Sequence, residues 1–444
     1  MKKRAPAARA RKPVAAPKAT PGAKPDSKLG SKLSAKLGSK LRTTPDSKLG
    51  AKLRATPDSK LRATPHSKLD SKLGSTLRST LDALATPHSL GYRMPAEWEP
   101  HAATWLAWPH EPTDWPGKFD AIPWVFAEVA RHLQEGERIR VIVSGKKEEA
   151  TAKSVFSRSG VNLKQVDFVH LATDRSWTRD FLPLGVVKDA GKNGSAQKRE
   201  TALVKWKFNG WARYKNHVKD EEAGLAVALQ LGTPLALPEA QFGKRRARVV
   251  LEGGAIDVDG EGTLLCTEEC LLNGRQARNA PLGKAGMEAV LRDHLGVERV
   301  LWLGSGIAGD DTAGHIDDFC RFVAPGQIVL AHEKNKRDPN YAVLRDAASR
   351  LKSACDAKGR KVEVIRLPMP APIVFAGQRL PASYANFYVG NAAVLVPTFN
   401  DPNDREALGI LAELFPSRRV VGIHSTDFVL GLGTIHCSTQ QEVR

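Results

Sequence analysis

Aromatic residues are absent from the first 89 residues, whereas all nine tryptophans of the 444-residue chain lie beyond residue 90. This first segment is built mainly from Lys, Ser, Leu, Ala, Thr and Pro, and it repeats the unit TPDSKL at 44–49 and 56–61. Such a composition excludes a packed core, because too little apolar surface is available to offset the loss of chain entropy. The sequence therefore predicts a disordered low-complexity tail over residues 1–89 and a folded domain over residues 90–444.

Long apolar runs and a high cysteine content are also lacking. No stretch approaches the roughly 18 apolar residues that a membrane helix needs, and the N-terminus lacks the apolar centre of a secretory signal. The number of cysteines is odd, which argues against a disulfide framework and in favour of reduced thiols. These absences predict a cytoplasmic protein without a transmembrane segment. The cysteines are Cys266, Cys270, Cys320, Cys355 and Cys437.

The positive charge of the chain is concentrated in the tail. The formal net charge is +19, but residues 1–89 hold 21 of the 67 Lys and Arg residues and only 5 of the 48 acidic residues. Two interpretations of this segment stay open: a solvated disordered tail, or basic amphipathic segments that fold on nucleic acid or on an anionic membrane. The folded domain is close to electroneutral, so its own composition does not indicate a polyanionic partner.

Beyond residue 90, short β-branched runs alternate with stretches of helical period. Eight runs are predicted to be strands: RIRVIVSG, TALVKWKF, ARVVLEGG, RVLWL, QIVLAH, KVEVIRLP, AAVLVPTF and RRVVGIHS. Five stretches are predicted to be helices: PWVFAEVARHLQEG, DEEAGLAVALQLG, GKAGMEAVLRDHLG, DPNYAVLRDAASRLKSACDAKG and DPNDREALGILAELFP. Because strands and helices interleave along the chain, the sequence predicts an α/β or α+β fold.

Several polar side chains occur at segment ends where a plain core does not need them. Asp180 lies in DRSWTRDFLP, and Glu252 precedes two glycines in VVLEGGAIDVDGEG. His315 and Asp317 lie in AGHIDDFCRF. A planar guanidinium presents its donors in a fork that suits carboxylates, so the three acids fit a receptor for such a cation. Each acid also has a purely structural interpretation as an ion-pair or turn residue, and the ion-pair partner of Asp180 would be Arg179.

The segment GLGTIHCSTQQ, residues 431–441, places a cysteine after a glycine-rich turn. The thiolate is the reactive form of cysteine, so a nucleophilic Cys437 needs a cationic or proton-accepting neighbour. His436 is adjacent in sequence, but on a strand its side chain would point to the opposite face. His315 is the better candidate, and on a strand it would share one face with Asp317. An idle buried thiol and a satisfied histidine in an Asx turn are the alternatives.

The same residue types do not form a convincing metal site. A His-x-Asp pair can bind zinc or iron, but the chain lacks a second matching histidine motif. The CTEEC segment, from Cys266 to Cys270, likewise has no second half. The sequence therefore predicts a site without a metal.

Seven motifs, taken in order, resemble those of the agmatine deiminase family, which is related to the bacterial peptidyl-arginine deiminases. They are MPAEWEPHAATWLAWPH, SWTRDFLP, FNGWARY, LEGGAIDVDGEGTLLCTEECLLN, GHIDDFCRFV, PASYANFYVGNAAVLVPTFNDPND and GLGTIHCSTQQ. The resemblance spans roughly residues 90–444 and leaves the tail uncovered. It implies the pentein fold, a five-bladed α/β propeller of ββαβ units around a central polar channel, which the strand pattern alone does not predict.

The resemblance also implies a role for each candidate residue. Cys437 matches the nucleophile that attacks the guanidinium carbon, and His315 matches the general acid and base. Asp180 and Asp317 match the acids that clamp the guanidinium nitrogens, and Glu252 matches a further acid of the pocket. The implied reaction is the hydrolysis of agmatine to N-carbamoylputrescine and ammonia, a step of putrescine and polyamine biosynthesis that needs no cofactor.

Four positions depart from the family pattern and leave the substrate open. Leu182 and Leu432 replace glycines of the patterns RDxGP and GGGNIHC, and Thr434 replaces the asparagine of the second pattern. Ala212 replaces a glycine after FNGW. We expect these positions to lie near the channel and to reshape the site for the far end of the substrate.

Alternatives to agmatine hydrolysis are the deimination of arginine or of another guanidine, and the transfer of the amidine to an amine. A different class is a polyanion-binding protein that acts through its basic tail. Trp177 and Trp211 lie in motif segments and are interpreted either as lining the aliphatic stem of the substrate or as packed core. The sequence does not predict the oligomeric state.

Overall fold

The computed structural model describes residues 85–189, 199–273 and 275–444. The predicted tail lies outside the described residues except for residues 85–89, where a short 3₁₀-helix begins, His88–Leu90. None of the helices found in the described part has both the length and the apolar character needed to cross a lipid bilayer.

Six helices of twelve or thirteen residues and one single-turn helix lie in the described residues. The first begins around a proline, whose fixed φ suits a first helical turn, and it buries Phe126, Val129, Ala130 and Leu133 on one face. The helices are Ile122–Leu133 (α1), Lys146–Arg158 (α2), Thr178–Phe181 (α3), Val218–Gln230 (α4), Gly283–Leu295 (α5), Pro339–Leu351 (α6) and Asn403–Leu414 (α7).

Five sheets of the described residues repeat one arrangement. In each sheet, one inner strand pairs antiparallel with one neighbour and parallel with a strand that follows it after a helix. The first sheet has one further parallel strand. The first sheet holds His101–Ala107 (β1), Arg138–Val143 (β2), Val166–His170 (β3) and Gln440–Val443 (β20). The second holds Leu184–Lys188 (β4), Glu200–Val204 (β5) and Leu235–Ala236 (β6).

The remaining strands complete three sheets and two hairpins. The third sheet holds Asp257–Val258 (β9), Thr263–Thr267 (β10) and Arg299–Leu303 (β11). The fourth holds Cys320–Ala324 (β12), Gln327–His332 (β13) and Glu363–Pro368 (β14). The fifth holds Tyr388–Val389 (β17), Ala393–Thr398 (β18) and Arg419–His424 (β19). The hairpins are Glu239–Phe242 (β7) with Arg245–Arg248 (β8), and Val374–Phe375 (β15) with Gln378–Arg379 (β16).

The predicted α/β class is confirmed, and several elements coincide with their predictions. RVLWL and QIVLAH are β11 and β13 residue for residue. In β13 the four central residues, 328–331, are all buried, as expected for a middle strand that is covered on both faces. Apolar clusters fill the spaces between the sheets and the helices that connect their strands.

Two predicted elements are shorter than expected. The strand over ARVVLEGG ends at Arg248, because the Asn279 side chain hydrogen-bonds both the N–H (3.0 Å) and the carbonyl (2.7 Å) of Val250. The long predicted helix ends at Leu351, because the Asp356 carboxylate accepts backbone N–H groups at 2.9 and 2.8 Å and fixes a turn instead.

The last strand of the chain lies in the first sheet. β20 runs antiparallel to β1, with Gln440 opposite Trp105 and Gln441 opposite Thr104. This pairing brings the segment that precedes β20, including Cys437, against the single-turn helix α3. The backbone N–H of Arg179 in α3 donates to the carbonyl of Cys437 (3.2 Å). Two motifs that are about 260 residues apart in the chain thus lie side by side.

Candidate active site

A cavity of about 400 Å³ contains four of the predicted site residues in its wall: Trp177, Asp180, Trp211 and Cys437. Its outer part is formed by the tip of the β15–β16 hairpin and by the loop before Cys437. The residues of this outer part are Phe375, Ala376, Gln378, Leu430, Gly431, Leu432 and Gly433. Charged and polar groups at the same cavity are Asp114, Arg175, Tyr214 and Asp311.

Cys437 lies in a turn that follows the 3₁₀-helix Phe428–Gly431. Its Sγ is 3.1 Å from the Asn386 amide nitrogen and 3.7 Å from Asp317 Oδ2. Thr434 donates a hydrogen bond to Asn386 Oδ1 (2.7 Å), which fixes the amide beside the thiol. Burial and the nearby carboxylates of Asp317 and Asp318 raise the pKa of the Cys437 thiol well above its usual value. The thiol is therefore protonated in the empty site.

His315 lies at the centre of three carboxyl groups. Its Nδ1 is 3.9 Å from both Asp180 Oδ1 and Asp317 Oδ1, and its Nε2 is 3.8 Å from Glu252 Oε2. Gly254 allows this convergence, because a Cβ there would lie 2.6 Å from His315 Nδ1 and about 3 Å from both aspartates. Burial alone lowers the pKa of His315, but the surrounding carboxylates outweigh it and raise the pKa well above the usual value.

The strand expected for His315 and Asp317 is wrong. His315 precedes a 3₁₀-helix, Ile316–Asp318, and the two side chains converge through this turn. The turn forms because Asp310 Oδ2 accepts the backbone N–H groups of Gly314 (2.7 Å) and His315 (3.2 Å). These carboxylate bonds replace the ladder that a strand needs. The strand expected around His436 and Cys437 is likewise a turn.

Asp180 does not pair with Arg179. Its Oδ2 accepts the indole N–H of Trp211 (2.8 Å), and its Oδ1 accepts the backbone N–H of Gly254 (3.0 Å). Trp211 is presented by a left-handed run, with φ values of 67° at Gly210, 56° at Trp211 and 54° at Ala212. Burial raises the pKa of Asp180 to about 6, although the imidazole of His315 opposes this shift.

Glu252 lies behind His315 and does not line the cavity. Both of its oxygens accept the Arg278 Nε–H, at 3.0 and 3.1 Å, and both side chains are fully buried. Burial alone raises the pKa of Glu252, but the Arg278 guanidinium outweighs it and lowers the pKa to about 2. The carboxylate is therefore ionised at any ordinary pH.

Asp317 contacts His436, the histidine that the sequence analysis judged a poor partner for Cys437. Its Oδ2 faces His436 Nδ1 at 2.6 Å, and the Nε2 of the same ring faces Glu97 Oε2 at 2.7 Å. Burial raises the pKa of Asp317, but the bond to His436 outweighs it and the net shift is downward. Asp318 has no such support, and burial beside Asp317 raises its pKa well above the usual value.

Trp177 belongs to the packed core, and its contact with the aliphatic stem of a substrate stays a prediction. The ring lines the cavity and is also 4% exposed, packed in one cluster with Trp115 and Phe428 at centroid distances of 5.5 and 6.0 Å. Gly431 and Gly433 are needed beside this cluster, because a Cβ at either would lie 2.7 or 3.1 Å from the Trp177 ring. The glycine-rich turn before Cys437 thus accommodates a tryptophan.

Five further residues of this site were not identified from the sequence. Most of them lie in the motif segments. They come from distant parts of the chain, so no spacing within one segment shows that their side chains meet. A buried charge inside a motif is the signal that would have found most of them, because such a charge needs a partner. The residues are Glu97, Arg278, Asp318, Asn386 and His436.

Two groups of ligand-type side chains lie close together in the described residues: Glu252 with Cys270 and His315, and Asp317 with Asp318 and Cys437. Both oxygens of Glu252 already face Arg278, whose positive charge opposes a metal cation. We assign neither group as a metal site, and the absence of metal and cofactor stays a prediction.

Sequence comparison places the chain among known hydrolases. A family model described as Porphyromonas-type peptidyl-arginine deiminase matches residues 93–442. The agmatine deiminase of Pseudomonas aeruginosa (strain LESB58) is 38% identical over 382 residues, which cover 81% of this chain and 97% of that protein. The agmatine deiminase of Pseudomonas putida (strain KT2440) is 37% identical over 384 residues.

Solved structures give the same grouping. The agmatine deiminase of Enterococcus faecalis superposes with a TM-score of 0.71 at 32% identity, covering 81% of this chain and 98% of that chain. The agmatine deiminase of C. jejuni with substrate bound superposes with a TM-score of 0.68 at 26% identity, covering 80% of this chain and 96% of that chain.

Proposed function

The chain belongs to the Porphyromonas-type peptidyl-arginine deiminase family, and from that premise we propose that it hydrolyses the guanidino C–N bond of agmatine. One agmatine and one water give N-carbamoylputrescine and ammonia. The observation that carries the proposal is the convergence of a thiol, an imidazole and two aspartates. Cys437 and Asp180 line the cavity, and His315 and Asp317 are buried next to them. Cys437 Sγ and His315 Nδ1 lie 3.7 and 3.9 Å from opposite oxygens of the same Asp317 carboxylate.

Asp180 and Asp317 are proposed to clamp the guanidinium nitrogens. Asp317 Oδ1 is buried and has no hydrogen-bond partner among the described residues, so it is available to a substrate N–H. Asp180 lines the cavity and is held in place by Trp211 and Gly254. Two fixed carboxylates orient a planar cation and place its carbon next to the sulfur.

Cys437 is proposed as the nucleophile, activated by the substrate. The thiol is protonated in the empty site, and a guanidinium between the aspartates offsets the negative charge that opposes its ionisation. As the guanidinium binds, the thiol loses its proton to solvent through the cavity that Cys437 lines. The sulfur then bonds to the guanidinium carbon, and a neutral tetrahedral adduct forms.

His315 is proposed to transfer protons in both half-reactions. As an imidazolium it donates one proton to the departing nitrogen, which leaves as ammonia while the C–N bond breaks and a thiouronium adduct remains. The neutral imidazole then takes a proton from a water that attacks the same carbon. The C–S bond then breaks, and the hydroxyl proton of the adduct passes to the departing sulfur. This step releases the ureido product and restores the thiol. Glu252, held by Arg278, is proposed to keep the ring charged and oriented.

The outer cavity supports a substrate with an apolar stem and a second cation. Leu430, Leu432 and Phe375 provide an apolar wall, and Trp177 lies nearer the thiol. Asp311, which is hydrogen-bonded by the Tyr214 hydroxyl, adds a carboxyl group at the same cavity. Agmatine combines a guanidinium, a four-carbon stem and an ammonium. These three groups suit the aspartates, the apolar wall and the carboxyl group of Asp311, respectively.

Arginine is the second candidate, because one cation also faces this cavity. Arg175 lines it, pairs through Nη1 with Asp114 and lies 4.5 Å above the Tyr214 ring. Its Nε is buried without a hydrogen-bond partner among the described residues. An unpaired guanidinium N–H is the group that would receive the α-carboxylate of arginine. The remaining charged groups of the cavity are acids, which favours agmatine.

The finer expectations about the whole chain are also proposals. The five similar sheets are proposed to be blades of a pentein propeller, each a ββαβ unit. The chain is proposed to act in the cytoplasm, and the basic segment 1–89 to contact nucleic acid or an anionic surface. Residues 90–444 are proposed to be the catalytic domain.

Ammonia release by the full-length protein tests the reaction. Agmatine, L-arginine and a peptide with a C-terminal arginine are supplied separately, and the ureido product is identified by mass spectrometry. We expect turnover of agmatine that Cys437→Ala abolishes and Cys355→Ala, which changes a half-exposed thiol outside the cavity, retains. Release of ammonia only when an amine acceptor is present, with an amidine-bearing product, would instead identify an amidinotransferase.

A salt-dependence experiment tests the remaining class. A polyanion-binding protein is retained on heparin in a salt-dependent way and turns over none of the guanidines. Absence of turnover together with such retention would replace the enzymatic proposal. Turnover with retention would assign separate roles to the tail and to the cavity.

A further inference from the structure

His436 forms a bridge between two buried carboxylates. The ring is 1% exposed, and its two nitrogens lie 2.6 Å from Asp317 Oδ2 and 2.7 Å from Glu97 Oε2. Its Nδ1 contacts the same Asp317 oxygen that lies 3.7 Å from the sulfur of the next residue, Cys437. Nothing in the reaction steps above uses this histidine, although it contacts the acid that is proposed to bind the guanidinium.

Glu97 is the anchor of this bridge. Its Oε1 pairs with Arg321 (3.0 Å) and accepts the backbone N–H of Val389 (2.8 Å), while its Oε2 pairs with Arg179 (3.1 Å). Burial alone raises the pKa of Glu97, but Arg321, His436 and Arg179 outweigh it and lower the pKa well below its usual range. A permanently ionised, immobile carboxylate therefore faces His436 Nε2.

The geometry determines how many protons the ring carries. A neutral imidazole has one N–H and one lone pair, so one of its nitrogens would turn a lone pair toward a carboxylate oxygen at less than 3 Å. That contact is repulsive in a buried site, where no water relieves it. When both carboxylates are ionised, both contacts are hydrogen bonds only if both ring nitrogens carry protons, which makes the ring an imidazolium between two anions.

Asp317 needs such a cation more than the other acids of the site. Apart from His436, its titratable neighbours are Asp318, Asp180, Cys437 and His315. Only His315 among these four contributes a positive charge that favours the ionised form of Asp317. Glu252 has its own guanidinium, Arg278. Asp317 has no direct arginine partner among the described residues; Arg321 acts on it only at longer range.

We propose that His436 is a positioning residue: as an imidazolium fixed between Glu97 and Asp317, it holds Asp317 ionised and turns its free Oδ1 toward the substrate guanidinium. The charged groups facing the ring are Glu97, Asp257, Asp317, Arg179 and Arg321, and their sum without the ring is three negative against two positive. The imidazolium balances this set. The inference rests on the proposed function, since it assigns Asp317 to a guanidinium.

His436→Gln is the informative substitution, because glutamine retains a hydrogen-bond donor and removes the positive charge. Asp317 then becomes partly protonated near neutral pH. At pH 7 we expect the KM for agmatine to rise by about 30-fold while kcat changes by less than about 3-fold, since the nucleophile and His315 are untouched. Raising the pH by about two units ionises Asp317 again, so KM returns toward the wild-type value. A purely structural role would change kcat and KM at every pH alike and would overturn the proposal.

His101→Asn is the matched control. His101 is also a buried histidine, bound to Glu137 (3.3 Å) and to the Glu97 carbonyl (2.8 Å), but it does not contact Asp317. We expect it to lower the melting temperature as much as His436→Gln does and to leave the pH dependence of KM unchanged. Glu97→Gln removes the anion on the other side of His436, and we expect it to reproduce the pH-dependent rise of KM.

Nuclear magnetic resonance of ¹⁵N-histidine-labelled full-length protein gives a readout without substrate. The signals of His436 are identified by their loss in His436→Gln. We expect both ring nitrogens to carry protons at pH 6 and at pH 8; a ring with one protonated nitrogen would overturn the inference. This measurement needs no turnover, so the two proposals are tested separately. A wild-type protein that hydrolyses no guanidine would refute the proposed function, and the spectrum would still show the protonation state of His436. Normal turnover with a neutral ring would refute the inference alone.

Discussion

The buried charged pairs beneath the cavity, called the floor here, differ from the rim of the cavity in how their side chains are held. On the floor, Glu252 with Arg278 and Asp317 with His436 are buried and matched charge for charge. On the rim, Phe375 is 39% exposed, and Leu432 keeps a left-handed backbone with φ 65° that disfavours a side chain. Replacing one member of a buried charged pair leaves its partner unpaired, whereas an exposed rim residue can be replaced alone. We therefore expect the charged pairs of the floor to determine which reaction is catalysed, and the rim residues to determine which guanidine is bound.

Breaking a floor pair is expected to have the largest effect on stability. Arg278→Met leaves the Glu252 carboxylate buried and unpaired, which lowers the free energy of unfolding by about 3–5 kcal/mol. Urea denaturation measures this change. Arg419→Met is the control, because Arg419 pairs with Glu135 at the surface, where the two side chains are 50% and 54% exposed. We expect less than about 1 kcal/mol there, and equal losses would remove the distinction.

The pH dependence of activity separates Asp180 from Glu252. Asp180 has its pKa raised to about 6, so the protonated form is favoured by folding. Its contribution to stability is present below its unfolded pKa and is lost as the pH rises through about 6. Guanidinium binding needs the ionised form, so we expect kcat/KM to fall about tenfold per pH unit below pH 6.

The Asp180 profile is measured as ammonia release between pH 4.5 and 8. Asp180→Asn is expected to remove the acid limb and to leave a low, flat rate. Glu252, with a pKa of about 2, contributes stability that is lost only as the pH falls through about 2, so it adds no limb in this range. A limb near pH 6 that survives in Asp180→Asn would refute the assignment.

A change at the rim is expected to alter the substrate constant and not the stability. Leu432→Gly removes an apolar wall and also relieves the positive φ, two effects of about 1 kcal/mol each that nearly cancel in the free energy of unfolding. The KM for agmatine should rise by about tenfold while the melting temperature stays the same. Leu430→Gly, at the same cavity but without a positive φ, should lower the melting temperature as well. Equal melting changes in the two variants would contradict the assigned strain.

The smallest expected effect is at a departure from the family pattern. Ala212 is exposed and keeps φ 54°, so Ala212→Gly should raise the free energy of unfolding by about 0.5 kcal/mol. Ala150→Gly on the exposed face of α2 should lower it by about 1 kcal/mol, because that position is helical. Thermal denaturation of both variants measures the two signs. A loss of stability in both would mean that Ala212 is not strained.

Much of the fold was predictable because its signals are local. Runs such as QIVLAH and stretches such as PWVFAEVARHL are bounded by turn residues and carry the period of their element. Helix α2 was missed because its sequence, KKEEATAKSVFSR, is mostly charged or polar, and only Ala152, Val155 and Phe156 are buried. The repeated pattern of the five sheets was not visible in the sequence, because strand pairing depends on contacts between distant segments.

The candidate site was predictable in its residue types and not in its connections. Cys437, His315, Asp317 and Asp180 do meet, as the motifs suggested. The sequence does not show that Asn386 touches the thiol from 51 positions away, or that Glu97 reaches His436 across 339 positions. The strand assumption also misplaced His436, since the side-chain alternation of a strand does not apply in a turn.

The pairing of β20 with β1 has a consequence for the order of events during synthesis. The acids at positions 180, 252 and 317 and the histidine at 315 leave the ribosome long before residue 437, and the strand that anchors Cys437 follows only three positions later. A growing or shortened chain without β20 holds a cluster of carboxyl groups and no anchored thiol to react. We therefore expect a chain that lacks β20 to turn over no guanidine, because Cys437 is then not held beside Asp317.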